Sequence, residues 1–218
     1  MKRRGVAFRV ISSGFAIVLL IIPVGLFSCA EEATAPTPEP APAPTPEPAP
    51  PPAPTMPEPA EVWAADGIIK VREYTGNQQF GDYRIFWRSD DRYAYIGISA
   101  PTTGFVSVGI QPGSRMKDAD MVFGFVQDGE ATVLDLFSTG DFGPHSPDTE
   151  LGGTNDILEF GGSEDDGSTT IEFKRALNTG DTYDLALAKG TNKIIWAYGS
   201  ADGLQGRHAA RGYGEITL

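Results

Sequence analysis

Cysteine and histidine, which bind transition metals and serve as nucleophile and base, are scarce in this 218-residue sequence. It contains one cysteine, Cys29, and two histidines, His145 and His208. One cysteine excludes an intramolecular disulfide and a cysteine-rich zinc site, and two histidines are too few for a metal centre built from histidines alone. The sequence also lacks the G-x-S-x-G nucleophile motif and a Gly-Lys-Ser/Thr phosphate-binding loop. We therefore expect a binding or carrier protein, not an enzyme that acts through this chain alone.

Residues 1–28 have the features of a lipoprotein signal peptide. A positively charged start precedes a 13-residue apolar run from Phe15 to Phe27, which is shorter than the roughly 20 residues of a transmembrane helix. The run ends in Leu26-Phe27-Ser28-Cys29, which resembles the bacterial lipobox with its lipidated cysteine. We expect an extracytoplasmic protein anchored to the cell membrane by a lipidated, N-terminal Cys29. The alternatives are an ordinary signal peptide, with Cys29 incidental, and a twin-arginine signal at Arg3-Arg4.

Residues 29–60 are predicted to be a proline-rich tether. Thirteen of the 18 prolines lie between Pro36 and Pro59. A segment with so few amide donors and no apolar period adopts extended, semi-rigid polyproline II structure. It would hold residues 61–218 away from the membrane. Alternatively, the segment itself would be the ligand of a proline-recognising module.

The net charge limits the classes of partner. The formal charge is −12, and it becomes −16 when the four basic residues of the signal peptide are removed. Such an acidic chain is unsuited to binding nucleic acid, and it is repelled by an anionic membrane surface. We therefore expect contact with the membrane only through the lipid anchor.

Residues 61–218 are predicted to be all-β. Short runs rich in β-branched and aromatic residues alternate apolar with polar positions, and glycine-containing turn pairs separate them. No stretch shows the 3.6-residue period of a long helix, so a two-sheet sandwich or a barrel is expected. The predicted strands are Ile68–Tyr74, Tyr83–Arg88, Tyr93–Ser99, Phe105–Ile110, Met121–Gln127, Ala131–Phe137, Asp156–Phe160, Thr169–Lys174, Thr182–Ala188, Lys193–Tyr198 and Gly212–Leu218.

Three segments, in this order, resemble the DOMON domain family. They are TTGFVSVGIQPGSRMKDADMVFGFVQDG, TTIEFKRALNTGDTYDLAL and IIWAYGSADGLQGRHAARGYGEITL. The resemblance covers nearly all of the chain after the tether. It implies an immunoglobulin-like two-sheet β-sandwich of about ten or eleven strands, in agreement with the strands read from the pattern.

DOMON domains bind either haem or sugars, and the resemblance implies the residues of a haem site. In haem-binding members a b-type haem lies in a cleft at one end of the sandwich, and a methionine and a histidine bind its iron. The matching residues here are Met116 and His208. With both axial positions filled, such an iron transfers electrons and does not bind substrate. His145, between two prolines, is an alternative ligand, whereas Met121 is expected in the sandwich and Met56 in the tether.

Further residues are predicted to line the haem pocket. For each of them, the alternative is an ordinary structural role. Trp196 and Tyr198 lie two apart on one strand and so face the same side, either the cleft or the core. Arg115, Arg207 and Arg211 flank the two ligands and would pair with the haem propionates, or are solvated loop residues. The acidic loop residues are predicted to be solvated: Asp148, Glu150, Asp156, Glu164, Asp165 and Asp166. The alternative is that some of them bind a metal ion.

The sequence thus predicts a lipid-anchored electron-transfer module that binds haem b. Its redox partner would be a membrane cytochrome b or a dehydrogenase. One alternative is a carbohydrate-binding or adhesive module without haem, whose aromatic platform would be Trp87, Tyr93 and Tyr95. The other is a structural lipoprotein spacer that binds neither ligand.

Overall fold

The structure is a computed structural model that describes residues 61–218. The predicted signal peptide, Cys29, the tether and Met56 lie outside the described residues. The described residues form eleven strands and one short helix: β1 (Gly76–Phe80), β2 (Tyr83–Ser89), β3 (Tyr93–Ala100), β4 (Val106–Ile110), β5 (Asp120–Gln127), β6 (Glu130–Ser138), β7 (His145–Pro147), α1 (Asp148–Leu151), β8 (Ile157–Asp165), β9 (Ser168–Ala176), β10 (Thr191–Gly199) and β11 (His208–Thr217). No helix within 61–218 has the length and apolar character needed to span a bilayer.

The strands form two antiparallel sheets. The five-stranded sheet has the order β1-β2-β3-β9-β8, and the six-stranded sheet has the order β11-β10-β4-β5-β6-β7. A core of β-branched and aromatic side chains from both sheets, among them Ile96, Ile171, Val108 and Val122, is almost fully buried. Burial of this core supplies the main driving force for the fold. The predicted all-β, two-sheet sandwich is confirmed.

Two predicted strands are absent, and two short strands were not predicted. The segment Thr182–Ala188 is not a strand, because it donates backbone hydrogen bonds to side chains instead of pairing with the backbone of a strand: Leu185 N donates to Asp120 Oδ2 (2.8 Å) and Ala188 N to Asn192 Oδ1 (2.9 Å). The unpredicted strands β1 and β7 are a polar edge strand and a three-residue edge strand.

The segment Ile68–Tyr74 is also not a strand. It belongs to residues 62–75, here called the strap, which lies over the outer face of the five-stranded sheet. Glu172 of β9 is fully buried beneath the strap. Its carboxylate accepts hydrogen bonds from Gly67 N (2.7 Å) and from the Tyr74 hydroxyl (2.6 Å). The strap therefore covers a sheet instead of extending it.

Candidate functional site

The outer face of the six-stranded sheet carries a second apolar cluster. Val108, Val122 and Ile194 point into the core between the sheets. Because side chains alternate along a strand, Ile195 and Met121, which neighbour two of these core residues in sequence, point away from the other sheet. The second cluster contains Met121, Phe123, Ile195 and Ala197, with Phe105, Ala119 and Leu136. These residues are buried, and Met116 and Leu204 pack against them from loops beside the sheet.

A cavity of about 350 Å³ opens on this outer face. This volume lies within the range of small-molecule and cofactor sites, about 300–1,000 Å³. Ser107 and Gly109 of β4, and Ile195 and Ala197 of β10, form its floor. The complete lining is Ser107, Gly109, Arg115, Met116, Met121, Asp141, Phe142, Ile195, Trp196, Ala197, His208, Arg211, Gly212 and Tyr213. The cavity thus lies on a sheet face, and not at one end of the sandwich as the resemblance had implied.

Met116 reaches the cavity from a tight loop between β4 and β5. Within the loop Lys117 N donates to Ser114 O (2.8 Å) and Ala119 N donates to Met116 O (3.1 Å). Arg115 and Asp118 have φ angles of 54° and 62°, a left-handed region that non-glycine residues rarely adopt. This backbone turns Met116 back over the sheet, where it packs against the outer cluster.

His208 enters the cavity from the first position of β11. The register between β10 and β11 shifts between Tyr198 and Gly199, so that His208 pairs with Gly199. Such a bulge re-aims the side chains beside it. Burial, with the nearby charges of Arg211 and His145, lowers the pKa of the His208 imidazole. The ring is therefore neutral at pH 7, which is the form that binds a metal.

His145, the alternative ligand, lies on the same outer face but not in the cavity lining. It is the first residue of β7 and pairs with Ser138. Its ring lies over Phe123 with centroids 6.5 Å apart, and burial lowers its pKa. Among residues 61–218 its Nδ1 atom has no hydrogen-bond partner.

Some of the remaining predicted pocket residues line the cavity and others do not. Trp196 and Tyr198 face the same side as expected, and that side is the core between the sheets. Trp196 stacks on Tyr83 (5.1 Å) and also borders the cavity, whereas Tyr198 is not part of the lining. Of the arginines, Arg115 and Arg211 line the cavity and Arg207 does not.

The lining residues that were not identified from the sequence include two large aromatic side chains. Phe142 and Tyr213 are 72% and 65% exposed at the cavity. The Arg115 guanidinium lies 4.5 Å from the centre of the Phe142 ring. Phe142 lies in a short loop between β6 and β7, where the sequence shows no periodicity, and only the fold brings it to Arg115.

The described residues fit a haem group. The cavity combines an apolar floor with a thioether and a neutral imidazole, the pair of ligands found in haem proteins with raised reduction potentials. Glycines at positions 109 and 212 leave room for the lining side chains of Ile195 and Trp196, which a Cβ atom would meet at 2.7 Å and 2.6 Å. Two arginines at the same cavity suit the carboxylates of haem propionates.

The predicted sugar platform is not present as such. Trp87 is only 8% exposed, and its indole N–H donates to Thr217 O at 2.7 Å within the sandwich. The rings of Tyr93 and Tyr95 are covered by cations, with Lys174 Nζ 4.8 Å and 5.5 Å from their centres. No flat, open aromatic surface is formed by these three residues.

Comparison with known proteins gives the family. The sequence profile of the DOMON domain family matches residues 79–199, which are more than half of the chain. The chain belongs to the DOMON domain family. The matched residues run from β1 to the end of β10, so they include Met116 but stop before His208.

Two curated animal proteins are similar to this DOMON chain. It is 26% identical over 148 residues to MOXD1 homolog 1 of Drosophila melanogaster, covering 65% of this chain and 21% of that protein. It is 33% identical over 119 residues to DBH-like monooxygenase protein 1 of Mus musculus, covering 54% and 18%. The chain therefore spans about a fifth of the length of these relatives.

Two solved structures have a similar fold. The cytochrome b domain of pyranose dehydrogenase from Coprinopsis cinerea has a TM-score of 0.45 and 15% identity, covering 62% of this chain and 76% of that one. The cytochrome domain of Myriococcum thermophilum cellobiose dehydrogenase has a TM-score of 0.43 and 10% identity, covering 62% and 74%.

The sequence interpretation of the acidic residues needs one correction. Asp148 is fully buried, whereas Glu150, Glu164, Asp165 and Asp166 are exposed as expected. Asp148 lies near three further acids, Asp120, Asp135 and Asp184. Asp120 and Asp135 occupy inward positions of strands that are otherwise apolar, and that break in the alternation is the signal by which the sequence could have revealed them.

Proposed function

We propose that this DOMON domain binds one haem b in the cavity on the outer face of the six-stranded sheet and transfers electrons. The observation that carries the proposal is the presence of Met116 and His208 in the lining of one apolar cavity. Bound haem would supply one-electron redox chemistry, which no side chain of this cavity provides.

The chain's own residues would set the properties of the site. The Met116 thioether and the neutral His208 imidazole would hold the iron, and a methionine ligand favours ferrous iron and raises the potential. Ile195, Ala197 and Met121 would exclude water from the face of the ring. Arg115 and Arg211 would lie toward the propionates.

We further propose an extracytoplasmic, lipid-anchored carrier. The support is the signal sequence ending at Cys29 and the proline-rich segment after it, which would give the domain a long reach. A carrier of this kind exchanges electrons with a membrane cytochrome b or a dehydrogenase.

The proposal is tested by absorption spectroscopy of the full chain with haemin, oxidised and then reduced with dithionite. We expect sharp α and β bands and an intense Soret band in the reduced protein. Met116→Leu keeps the apolar volume but removes the sulfur, so the low-spin bands should be lost. Met121→Leu makes the same change elsewhere in the lining and should leave the spectrum unaltered.

The histidine variants form a second matched pair. His208→Ala should abolish the low-spin spectrum, whereas His145→Ala should preserve it. The reverse result would make His145 the ligand. If the spectrum remains that of free haemin, the haem proposal fails, and a titration of tryptophan fluorescence with soluble sugars would then test the carbohydrate-binding alternative.

A further inference from the structure

A group of buried charges lies between the two sheets, separate from the cavity. Asp120 begins β5, Asp135 lies in β6 and Asp148 begins α1, and their exposures are 0%, 4% and 0%. The side chain of Asp184 is 1% exposed. Arg175 of β9 is the basic residue that contacts them. Its Nη1 lies 2.6 Å from Asp120 Oδ2 and its Nη2 lies 3.5 Å from Asp184 Oδ1.

The hydrogen bonds of these acids are incomplete. Asp120 Oδ2 also accepts from Leu185 N at 2.8 Å, and Asp135 Oδ2 accepts from Asp156 N at 2.7 Å. Within residues 61–218, Asp120 Oδ1, Asp135 Oδ1 and both oxygens of Asp148 have no hydrogen-bond partner. Leaving a buried carboxylate oxygen without a partner is costly, so a missing positive group is indicated.

One arginine does not balance these carboxylates. Four aspartates and one arginine give a formal charge of −3 in a region without solvent contact. Burial and mutual repulsion raise the pKa of Asp135 to about 7 and that of Asp148 to about 8. Without a cation, the group must therefore hold protons near neutral pH.

The spacing of the oxygens is short enough for one shared metal ion. One carboxylate oxygen from each of Asp120, Asp135 and Asp184 lies within 4.8 Å of the other two. Calcium takes about six to eight oxygen ligands in flexible geometry, whereas magnesium usually keeps several waters and binds few carboxylates. A buried group of four carboxylates therefore favours calcium. We propose that Asp120, Asp135 and Asp184, with Asp148 as a fourth carboxylate, bind one calcium-sized divalent cation.

The cation would also fix the loop that carries Met116. Asp120 follows this loop directly, and the loop is held to the end of β6 by hydrogen bonds from Asp118 N to Ser138 O (2.8 Å) and from Ser138 N to Ala119 O (3.0 Å). Binding at Asp120 and Asp135 would lock β5 to β6 at this point. The cation site itself does not depend on the proposed haem function.

The test is calcium titration of the full chain after removal of metals with EDTA, by calorimetry and by thermal unfolding, without haemin. We expect one calcium ion per chain and a rise in Tm that magnesium at the same concentration does not reproduce. Asp135→Asn and Asp148→Asn should each weaken calcium binding by at least about tenfold, because affinity follows the number of charged ligands. Asp166→Asn makes the same charge change in the exposed β8–β9 turn and should bind calcium as the unaltered chain does.

Three results would overturn the proposal: no calcium binding by the unaltered chain, undiminished binding by Asp135→Asn, or equal weakening by Asp166→Asn, which would indicate diffuse binding to the acidic surface. If Asp135→Asn does not fold, Asp148→Asn and elemental analysis of the unaltered chain, purified without chelator, decide the question. The haemin spectra are recorded separately, so failure of one proposal leaves the other intact.

Discussion

The outer faces of the two sheets are covered to different extents. On the five-stranded sheet the strap lies directly on the strands, and backbone donors of the strap meet the buried carboxylate of Glu172. A Cβ atom at Gly97 would lie 2.6 Å from Ile69 Cδ1, and one at Gly161 would collide with Ala65 O. Glycine is needed at these two positions because the strap approaches so closely.

On the six-stranded sheet, residues 61–218 leave an apolar cavity open. Its floor also contains a glycine, Gly109, but a Cβ atom there would meet the side chain of Ile195 at 2.7 Å and not a backbone group. The first face is partly covered by the domain's own chain, and the cavity of about 550 Å³ beside the strap has a more polar lining that includes Lys70, Arg84 and Thr170. The second face offers apolar surface, a thioether and an imidazole. This difference supports the proposed ligand site on the six-stranded sheet, and it can be tested one face at a time.

The largest effect is expected from Glu172→Ala. The substitution leaves Asp66 N, Gly67 N and the Tyr74 hydroxyl without their acceptor, and each unsatisfied buried group costs about 1–3 kcal/mol. The free energy of unfolding, measured in urea, should fall by about 3 kcal/mol. Haemin affinity should not change, because the cavity lies on the other sheet.

Glu159→Ala is the matched control for that substitution. Glu159 is on the neighbouring strand β8, and its carboxylate forms a half-exposed pair with Lys174 (2.7 Å). Loss of an exposed pair should change stability by less than about 1 kcal/mol. Equal effects of Glu159→Ala and Glu172→Ala would show that the strap is not anchored through Glu172.

A smaller difference is expected between two glycine substitutions. Gly161→Ala forces the Ala65 backbone away from the sheet and should lower the free energy of unfolding by about 2 kcal/mol. Gly109→Ala meets the side chains of Ile195 and Ala119, at 2.7 Å and 3.3 Å, and no backbone atom, so it should cost only about 1 kcal/mol. Its methyl group would instead enter the cavity and weaken haemin binding. Weakened haemin binding by Gly161→Ala, and not by Gly109→Ala, would contradict this assignment of the two faces.

Several strands of the sandwich could be predicted because apolar and polar residues alternate along them. Thr170-Ile171-Glu172-Phe173-Lys174 shows the pattern clearly, and it lies in β9. The strap misled the prediction because Ile68–Tyr74 has strand-like composition, but its backbone N–H groups donate to acceptors within the strap itself, such as Ile68 N to Asp66 Oδ1 and Lys70 N to Glu73 Oε2. Strand β1, Gly76–Phe80, was missed because its sequence, GNQQF, is polar and mostly exposed.

Only part of the candidate site could be predicted from the sequence. Met116 and His208 came from the resemblance to the family, whereas their position on a sheet face follows from strand register, which the sequence does not contain. Asp120 and Asp135 were overlooked since acidic residues are abundant in this chain. Their inward positions become visible only when the strands are paired.

The last prediction separates the three arginines. Arg115 and Arg211 line the cavity but are exposed, and exposed charge pairs contribute about 0.2–1 kcal/mol. Arg211→Gln and Arg115→Gln should therefore each weaken haemin binding about threefold, and the loss should shrink at high salt. Arg207→Gln makes the same change outside the lining and should have no effect. Arg207 lies in the loop between β10 and β11. An equal loss of haemin affinity in Arg207→Gln would therefore indicate that this loop, and not the edge of the cavity, binds the propionates.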